Sequence, residues 1–164
     1  MTISTARRIT YIVPCGAAKA DAPTKARDLY TSAHFRFVLR TAEAMADGDR
    51  ASGRPARVLI MSAEHGLVEL DRILAPYDTT IADADSIPAD VVTAQAIELG
   101  LAPAVDDDED LGDEVYALLP GGYFERLSVA LQAVYSYPQD VYEAAPGIGF
   151  QRGTCRSAAT AYAA

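Results

Sequence analysis

Residues 58–66 read Val-Leu-Ile-Met-Ser-Ala-Glu-His-Gly. An apolar run of strand length passes straight into a hydroxyl, a carboxylate, an imidazole and a glycine. A buried strand needs no Ser, Glu or His at its end, so packing alone does not account for them. The stretch predicts a buried strand over 57–62 with a polar cluster at its carboxyl end.

Two other runs share this design. Arg8-Ile-Thr-Tyr-Ile-Val-Pro14 is β-branched and aromatic and is ended by Pro14-Cys15-Gly16. Glu114-Val-Tyr-Ala-Leu-Leu119 is ended by Pro120-Gly121-Gly122. Between the first two, Thr31 or Ser32 is suited to cap a helix. Phe35, Val38, Leu39, Ala42 and Met45 follow at helical spacing until Asp47-Gly48-Asp49 stops them, and residues 51–55 link to the next strand. Strand, helix and strand in this order predict a right-handed βαβ unit. A second helix is expected from Ser86 to Leu99, with Pro88 in its first turn. A third follows Gly122 with a stripe of Phe124, Leu127, Leu131 and Val134. Residues 17–30 and 67–80 read as long loops. The segment from Ser136 has no clear assignment and is expected to be flexible from about residue 154, with Ala158–Ala164 frayed. The expected fold is therefore one α/β domain over residues 1–164. It has three layers, with a small, mostly parallel central sheet, flanking helices and an acidic loop over 105–114.

Charge narrows the partners. The net charge is −9, but residues 1–60 carry ten Lys and Arg against five Asp and Glu, and residues 61–164 carry four against eighteen. Strong duplex binding needs a basic surface, which only the first third can offer locally. No apolar run reaches the length of a membrane span, and no h-region follows Arg7-Arg8, so a cytoplasmic protein with no membrane contact is expected. Cys15 and Cys155 lie near opposite ends and do not suggest a disulfide. With the two histidines they lack metal-ligand spacing, so no metal site is expected. Asp106-Asp107-Asp108-Glu109-Asp110 lacks the alternation and glycine of an EF-hand and reads as a solvated loop.

In parallel α/β sheets, ligands sit beyond the carboxyl ends of the strands. The candidates for chemistry follow from that rule. Cys15 is a nucleophile if a cation such as Lys19 or His65 lowers its pKa, and otherwise a small buried residue. Gly16 permits close approach, and Lys19 can bind an anion. Arg27 and Asp28 precede Tyr30, Thr31 and Ser32 at a helix start, where a guanidinium and free backbone N–H groups can hold a phosphate or carboxylate. A capped helix with a surface ion pair is the plain alternative. His65 is the natural acid or base near neutrality, with Ser62, Glu64 and Gly66 around it, although a lone His is often only a satisfied hydrogen-bonding residue. Gly121 and Gly122 can admit a phosphate or a flat ring, with Arg126 behind them. The glycine-dense stretch 146–153 either closes over the same site or is a plain turn.

These motifs resemble a family. Ser62-Ala63-Glu64-His65-Gly66-Leu67, followed by Pro76-Tyr77-Asp78, is similar to the YaaA superfamily. Together with Cys15-Gly16-Ala17-Ala18-Lys19 and Ala26-Arg27-Asp28-Leu29-Tyr30-Thr31-Ser32, it resembles short bacterial and phage YaaA-like domains over residues 8–80. Pro14 to Lys19 also resembles the Pro-Cys-Ser-x-x-Lys motif of archaeosine synthase, which modifies a deazaguanine base in tRNA. Gly16 stands where that motif has serine, and the Tyr and Ser after its lysine are absent. The resemblance implies a compact α/β domain concerned with nucleic acids, nucleotides or modified bases, and it implies no cofactor.

The sequence leads to an enzyme acting on a nucleobase, nucleotide or DNA, by base modification or N-glycosidic chemistry. Lys19 and Arg27 would hold an anionic group, and His65 would be the acid or base. Ser62 and Asp28 would orient groups, and Tyr30 or Tyr77 would stack on a base. The alternatives are a non-catalytic DNA-binding protein and a small-ligand-binding accessory protein.

Overall fold

A computed structural model describes residues 6–103, 112–144 and 148–163. In chain order the elements are β1 (Ile9–Pro14), β2 (Thr24–Lys25), α1 (Ala26–Leu29), α2 (Ala33–Ala51), β3 (Ala56–Ser62), β4 (Gly66–Glu69) and β5 (Ile73–Leu74). Then come α3 (Ala89–Glu98), β6 (Glu114–Ala117), α4 (Gly121–Gln132), β7 (Gln139–Asp140) and α5 (Ile148–Ala163). The central sheet has the order β4-β3-β1-β6-β7. β1 pairs in parallel with β3 and β6, β6 pairs in parallel with β7, and β4 alone runs antiparallel, against β3. The expected mostly parallel α/β sheet is present.

Alternation along the strands makes the layers. Ile9, Tyr11, Val13, Val58 and Ile60 point to one face, where they meet Phe35, Val38, Ala42 and Met45 of α2. Ile12, Leu59, Met61, Val115 and Ala117 point to the other, where they meet Val92 and Ala96 of α3 and Leu127, Ala130 and Leu131 of α4. Each fully buried Ile, Leu or Met contributes about 1.5–3 kcal/mol, so both faces are strongly held. β1 is buried at every position because it has a strand on each side and helices on both faces.

A polar cluster ties together the amino edge of the sheet, next to a cavity of about 480 Å³. Asp113, 5% exposed, accepts from Arg8 Nε at 3.1 Å, Arg57 Nη2 at 2.9 Å and Thr10 Oγ1 at 2.5 Å. Arg8 and Arg57 also donate to the carbonyl of Leu99. Burial pushes the Arg57 guanidinium below its ordinary pKa, and Asp113 opposes that shift. The ends of β1, β3 and α3 are thus tied to the start of β6.

The structure corrects several expectations. Asp47-Gly48-Asp49 does not stop α2, because the Asp49 carboxylate accepts the Tyr11 hydroxyl at 2.5 Å and the helix runs on to Ala51. The loop expected after Gly66 begins with β4, and the loop over 17–30 holds β2 and α1, with Lys19 bridging Tyr30. The second helix starts at Ala89, after Pro88, and not at Ser86. The end expected to be flexible carries α5, packed on α2, with Cys155 buried beside the Tyr142 hydroxyl. Gly149 and Gly153 belong to that helix, so residues 148–153 form neither a turn nor a closing loop, and residues 146 and 147 lie outside the described residues. The acidic run 106–110 lies outside the described residues.

Between β3 and β4, Ser62 pairs with Gly66 and residues 63–65 form the turn. Gly66 has φ 72°, and a Cβ there would lie 2.1 Å from Gln95 Oε1. Gln95 accepts from Leu67 N at 2.9 Å and donates to His65 O at 2.8 Å. Gly53 has φ 81° with nothing within 4 Å of such a Cβ. Gly66→Ala should cost about 3–4 kcal/mol, from backbone strain plus two lost hydrogen bonds, and Gly53→Ala about 1–2 kcal/mol from strain alone. Urea denaturation measures both, and equal losses would contradict the role given to Gln95.

Candidate functional site

Because β1, β3 and β6 are parallel neighbours, Pro14, Ser62 and Ala117 end at one edge. After β1 the chain passes to α2 on one face of the sheet, and after β6 it passes to α4 on the other. Such a divergence between adjacent strands opens a crevice at their carboxyl ends. Cys15 leaves β1 there, and Tyr123 enters from the first turn of α4. Cys15 Sγ and Tyr123 Oη are 3.1 Å apart. They line a cavity of about 250 Å³ together with Gly16, Lys19, Asp78 and Thr79.

A chain of hydroxyls forms the wall behind it. Ser62 Oγ, fully buried, accepts from the backbone N–H of Glu64 at 3.2 Å and of His65 at 3.0 Å. Those bonds occupy both of its lone pairs, so its own proton is directed to Tyr77 Oη, 2.7 Å away. Tyr77 then donates to Tyr30 Oη at 2.7 Å. Ser62 therefore fixes the 62–66 turn and Tyr77 together. Burial pushes the Tyr30 phenol up to about 12. It also raises those of Tyr77 and Tyr123, with the nearby Cys15 adding to both. All three phenols stay protonated at neutral pH.

Lys19 and His65 meet at Tyr77. The Lys19 ammonium lies 4.2 Å from the centre of the Tyr77 ring and donates to Ala17 O at 3.2 Å. At that distance the cation–π attraction is worth about 0.5–2 kcal/mol, depending on desolvation. The His65 ring meets Tyr77 edge-on, with centroids 5.3 Å apart. Its ring nitrogens have no hydrogen-bond partner among the described residues. Burial lowers its pKa, Glu64 opposes that shift and Arg72 adds to it. His65 does not line the cavity and reaches the cluster only through Tyr77.

Other candidates are placed elsewhere. Tyr30 is 1% exposed with its ring against Phe35, so it has no face to offer a base. Arg27 pairs with Glu43 and Asp71, and Asp28 is exposed. Both line a separate groove on α1 and α2, and the expected shared pocket does not include them. Ser32 caps α2 by accepting from Phe35 N. Arg126 donates to Ser86 Oγ and Ile87 O, which fixes the approach to α3, and with Gly122 it lines a separate cavity of about 360 Å³. Gly121 and Gly122 are exposed at the start of α4, and Glu64 is exposed in the turn. Tyr123 was not anticipated. Its place directly after the Pro-Gly-Gly turn at a strand end was the available signal. Gln95 left none. No group of three or more metal-ligating side chains occurs among the described residues, and no described helix is long and apolar enough to cross a membrane.

Tyr77→Phe removes the hydroxyl that joins Ser62 to Tyr30 and leaves two buried hydroxyls short of a partner. A loss of about 1–3 kcal/mol is expected by chemical denaturation, and unchanged stability would contradict the chain. For His65, an NMR titration midpoint below 6.5 is expected. Its contribution to stability is then complete above about 6.5 and falls as pH drops from there through the folded-state value. A midpoint at or above 6.5 would overturn the sign.

No curated protein and no solved structure matches the chain. One family model does match, over residues 10–139, from β1 to the first residue of β7. That span contains every group of the cluster around Tyr77 and omits α5. The chain therefore belongs to the family of unknown function DUF6884.

Proposed function

We propose that this protein is an enzyme acting on a nucleobase or nucleotide, free or within DNA, by base modification or N-glycosidic chemistry. The observation that carries the reading is the position of the cavity. Cys15, Lys19 and Tyr123 converge at the divergence between β1 and β6, where doubly wound sheets bind their ligands. At about 250 Å³ it is smaller than the roughly 300–1,000 Å³ of drug-sized ligand sites, so it suits one ring system. The likeness of the strand-end motifs to YaaA-like domains favours a nucleic-acid-related substrate.

In this reading Lys19 binds a carbonyl or anionic group of the substrate. Cys15 and the Tyr123 hydroxyl face the ring, and Asp78 supplies a carboxylate at the rim. His65, neutral at pH 7 with free ring nitrogens, is the acid or base if substrate extends past Tyr77. Ser62 and Tyr77 are positioning residues, since their hydroxyls are committed to each other and to the backbone.

The test is a thermal-shift and product-analysis panel of adenine, guanine and the nucleoside monophosphates, with the wild type and with Lys19→Gln, Cys15→Ser and His65→Asn. One compound should raise the melting temperature, by the equivalent of about 2.7 kcal/mol at a hundred times Kd. Lys19→Gln should abolish the shift, and Cys15→Ser or His65→Asn should abolish turnover with binding retained. No shift across the panel, or a shift indifferent to Lys19, sinks the reading. Binding without conversion by the wild type reassigns the protein as a ligand-binding accessory.

A further inference from the structure

The groove holding Arg27 and Asp28 has a chemistry of its own. It measures about 610 Å³, more than twice the cavity at Cys15, and Arg36, Leu39 and Arg40 complete it. Arg36 and Arg40 are one turn apart on α2, both exposed, and neither guanidinium has a partner among the described residues. Their neighbour Arg27 is pinned by Glu43 at 3.2 Å and lies 3.3 Å from Asp71. Asp28 is the single carboxylate among the groove's lining side chains.

With 23 Asp and Glu against 14 Lys and Arg, an exposed arginine has carboxylates in excess to pair with. Arg8, Arg27, Arg50, Arg54 and Arg57 all do so. Arg72, Arg126, Arg152 and Arg156, like Arg36 and Arg40, have no carboxylate partner among the described residues, and what sets Arg36 and Arg40 apart is that they stand one turn apart in one groove. There each raises the cost of the other. Like charges four residues apart destabilise a helix by a few tenths of a kcal/mol. An anion bridging them removes that repulsion. Two guanidiniums about 6 Å apart along a helix axis present their forks at a step close to that between successive phosphates on a strand.

One chain segment, residues 27–33, links the groove to the surroundings of the cavity. Arg27, Asp28 and Ala33 line the groove, while between them Tyr30 joins the hydroxyl chain and Ser32 Oγ lies at contact distance from the Gly16 position. We propose that the α1–α2 groove binds the phosphodiester backbone of a single nucleic-acid strand, so that a base of that strand is presented to the cavity at Cys15 and Lys19. This rests on the nucleobase reading of that cavity and narrows its substrate from a free nucleotide to a base within a strand. A duplex fits less well. The net charge of −9 opposes a broad phosphate array, and a cavity that takes one ring needs its base out of the stack.

The experiment is fluorescence anisotropy with a labelled oligothymidylate and a labelled mixed-sequence oligonucleotide, from about 50 to 200 mM salt. The proteins are the wild type, the double variant Arg36→Gln/Arg40→Gln, and Arg156→Gln as an exposed control on α5. The double variant should bind more weakly, with a salt slope lower by about 1.4, or about 0.7 for each phosphate released. Arg156→Gln should match the wild type. Mononucleotide thermal shifts should be the same in all three. An unchanged slope in the double variant, an equal loss in Arg156→Gln, no oligonucleotide binding by the wild type, or tighter binding of the matching duplex overturns the groove. If the wild type and the double variant respond alike to mononucleotides while the slope does not change, only the groove fails. If mononucleotides shift nothing while the slope falls as expected, only the nucleobase reading of the cavity fails, and the groove stands as a strand-binding surface.

Discussion

The parallel pairing of β1 with both β3 and β6 is the constraint on which the remainder depends. It buries β1 on both edges and both faces, which only an apolar strand tolerates. It also forces the three strand ends to one side. With α2 and α4 leaving to opposite faces, a cavity is left at the carboxyl ends of β1 and β6. The side chains of Cys15, Lys19 and Tyr123 border it, together with residues 78–80. The site is thus a consequence of strand order, and its side chains could change without altering the crevice.

Tyr77 is the element that unites the two halves of the cluster. Its hydroxyl is committed to Ser62 and Tyr30, its face to Lys19 and its edge to His65. The ring therefore touches both Lys19, which lines the cavity, and the imidazole, which does not. A ligand in the cavity senses His65 only through this ring or by reaching past it. Base stacking on Tyr77 requires Lys19 to move, which links recognition of a ring to release of a cation toward the same ligand.

The strand ends were legible because Pro, Gly and polar residues interrupt apolar runs, and that punctuation survives folding. The meaning of the punctuation was less legible. Ser62 and Gly66 looked like site residues, yet both have a sufficient reason in the three-residue turn to β4. Ser62 accepts two backbone N–H groups, and Gly66 takes a positive φ beside Gln95. His65 is the member of that cluster the turn does not explain. Arg27 and Asp28 are site candidates in the sequence because they precede a helix start, but α1 places them on a separate groove. The end of α2 was misread for a different reason. Asp47-Gly48-Asp49 is a local stop signal, and the hydroxyl of Tyr11, 38 positions away, overrides it by occupying the Asp49 carboxylate. Partners at long sequence separation are what a pattern of local preferences cannot contain.

The two edges of the sheet use polar groups in opposite ways. At the amino edge, Asp113 is met by two guanidiniums and a hydroxyl, and those guanidiniums also satisfy the carbonyl of Leu99. Removing the Asp113 carboxylate would leave the largely buried Arg57 guanidinium without its ion pair and Thr10 without its acceptor, which is strongly destabilising. The ionic groups there are paired, beside a cavity of about 480 Å³ that Asp113, Glu114, Tyr116 and Tyr137 help to line. At the carboxyl edge the hydroxyl chain is satisfied only as far as Tyr77. Beyond it, the imidazole nitrogens of His65 have no partner among the described residues, and the Lys19 ammonium spends one hydrogen bond on a carbonyl and leaves its other donors for solvent or ligand. Of these open groups Lys19 borders the cavity, and His65 lies on the other side of its contact with Tyr77. Paired ionic groups at the amino edge and open polar groups at the carboxyl edge are thus built on the same three strands.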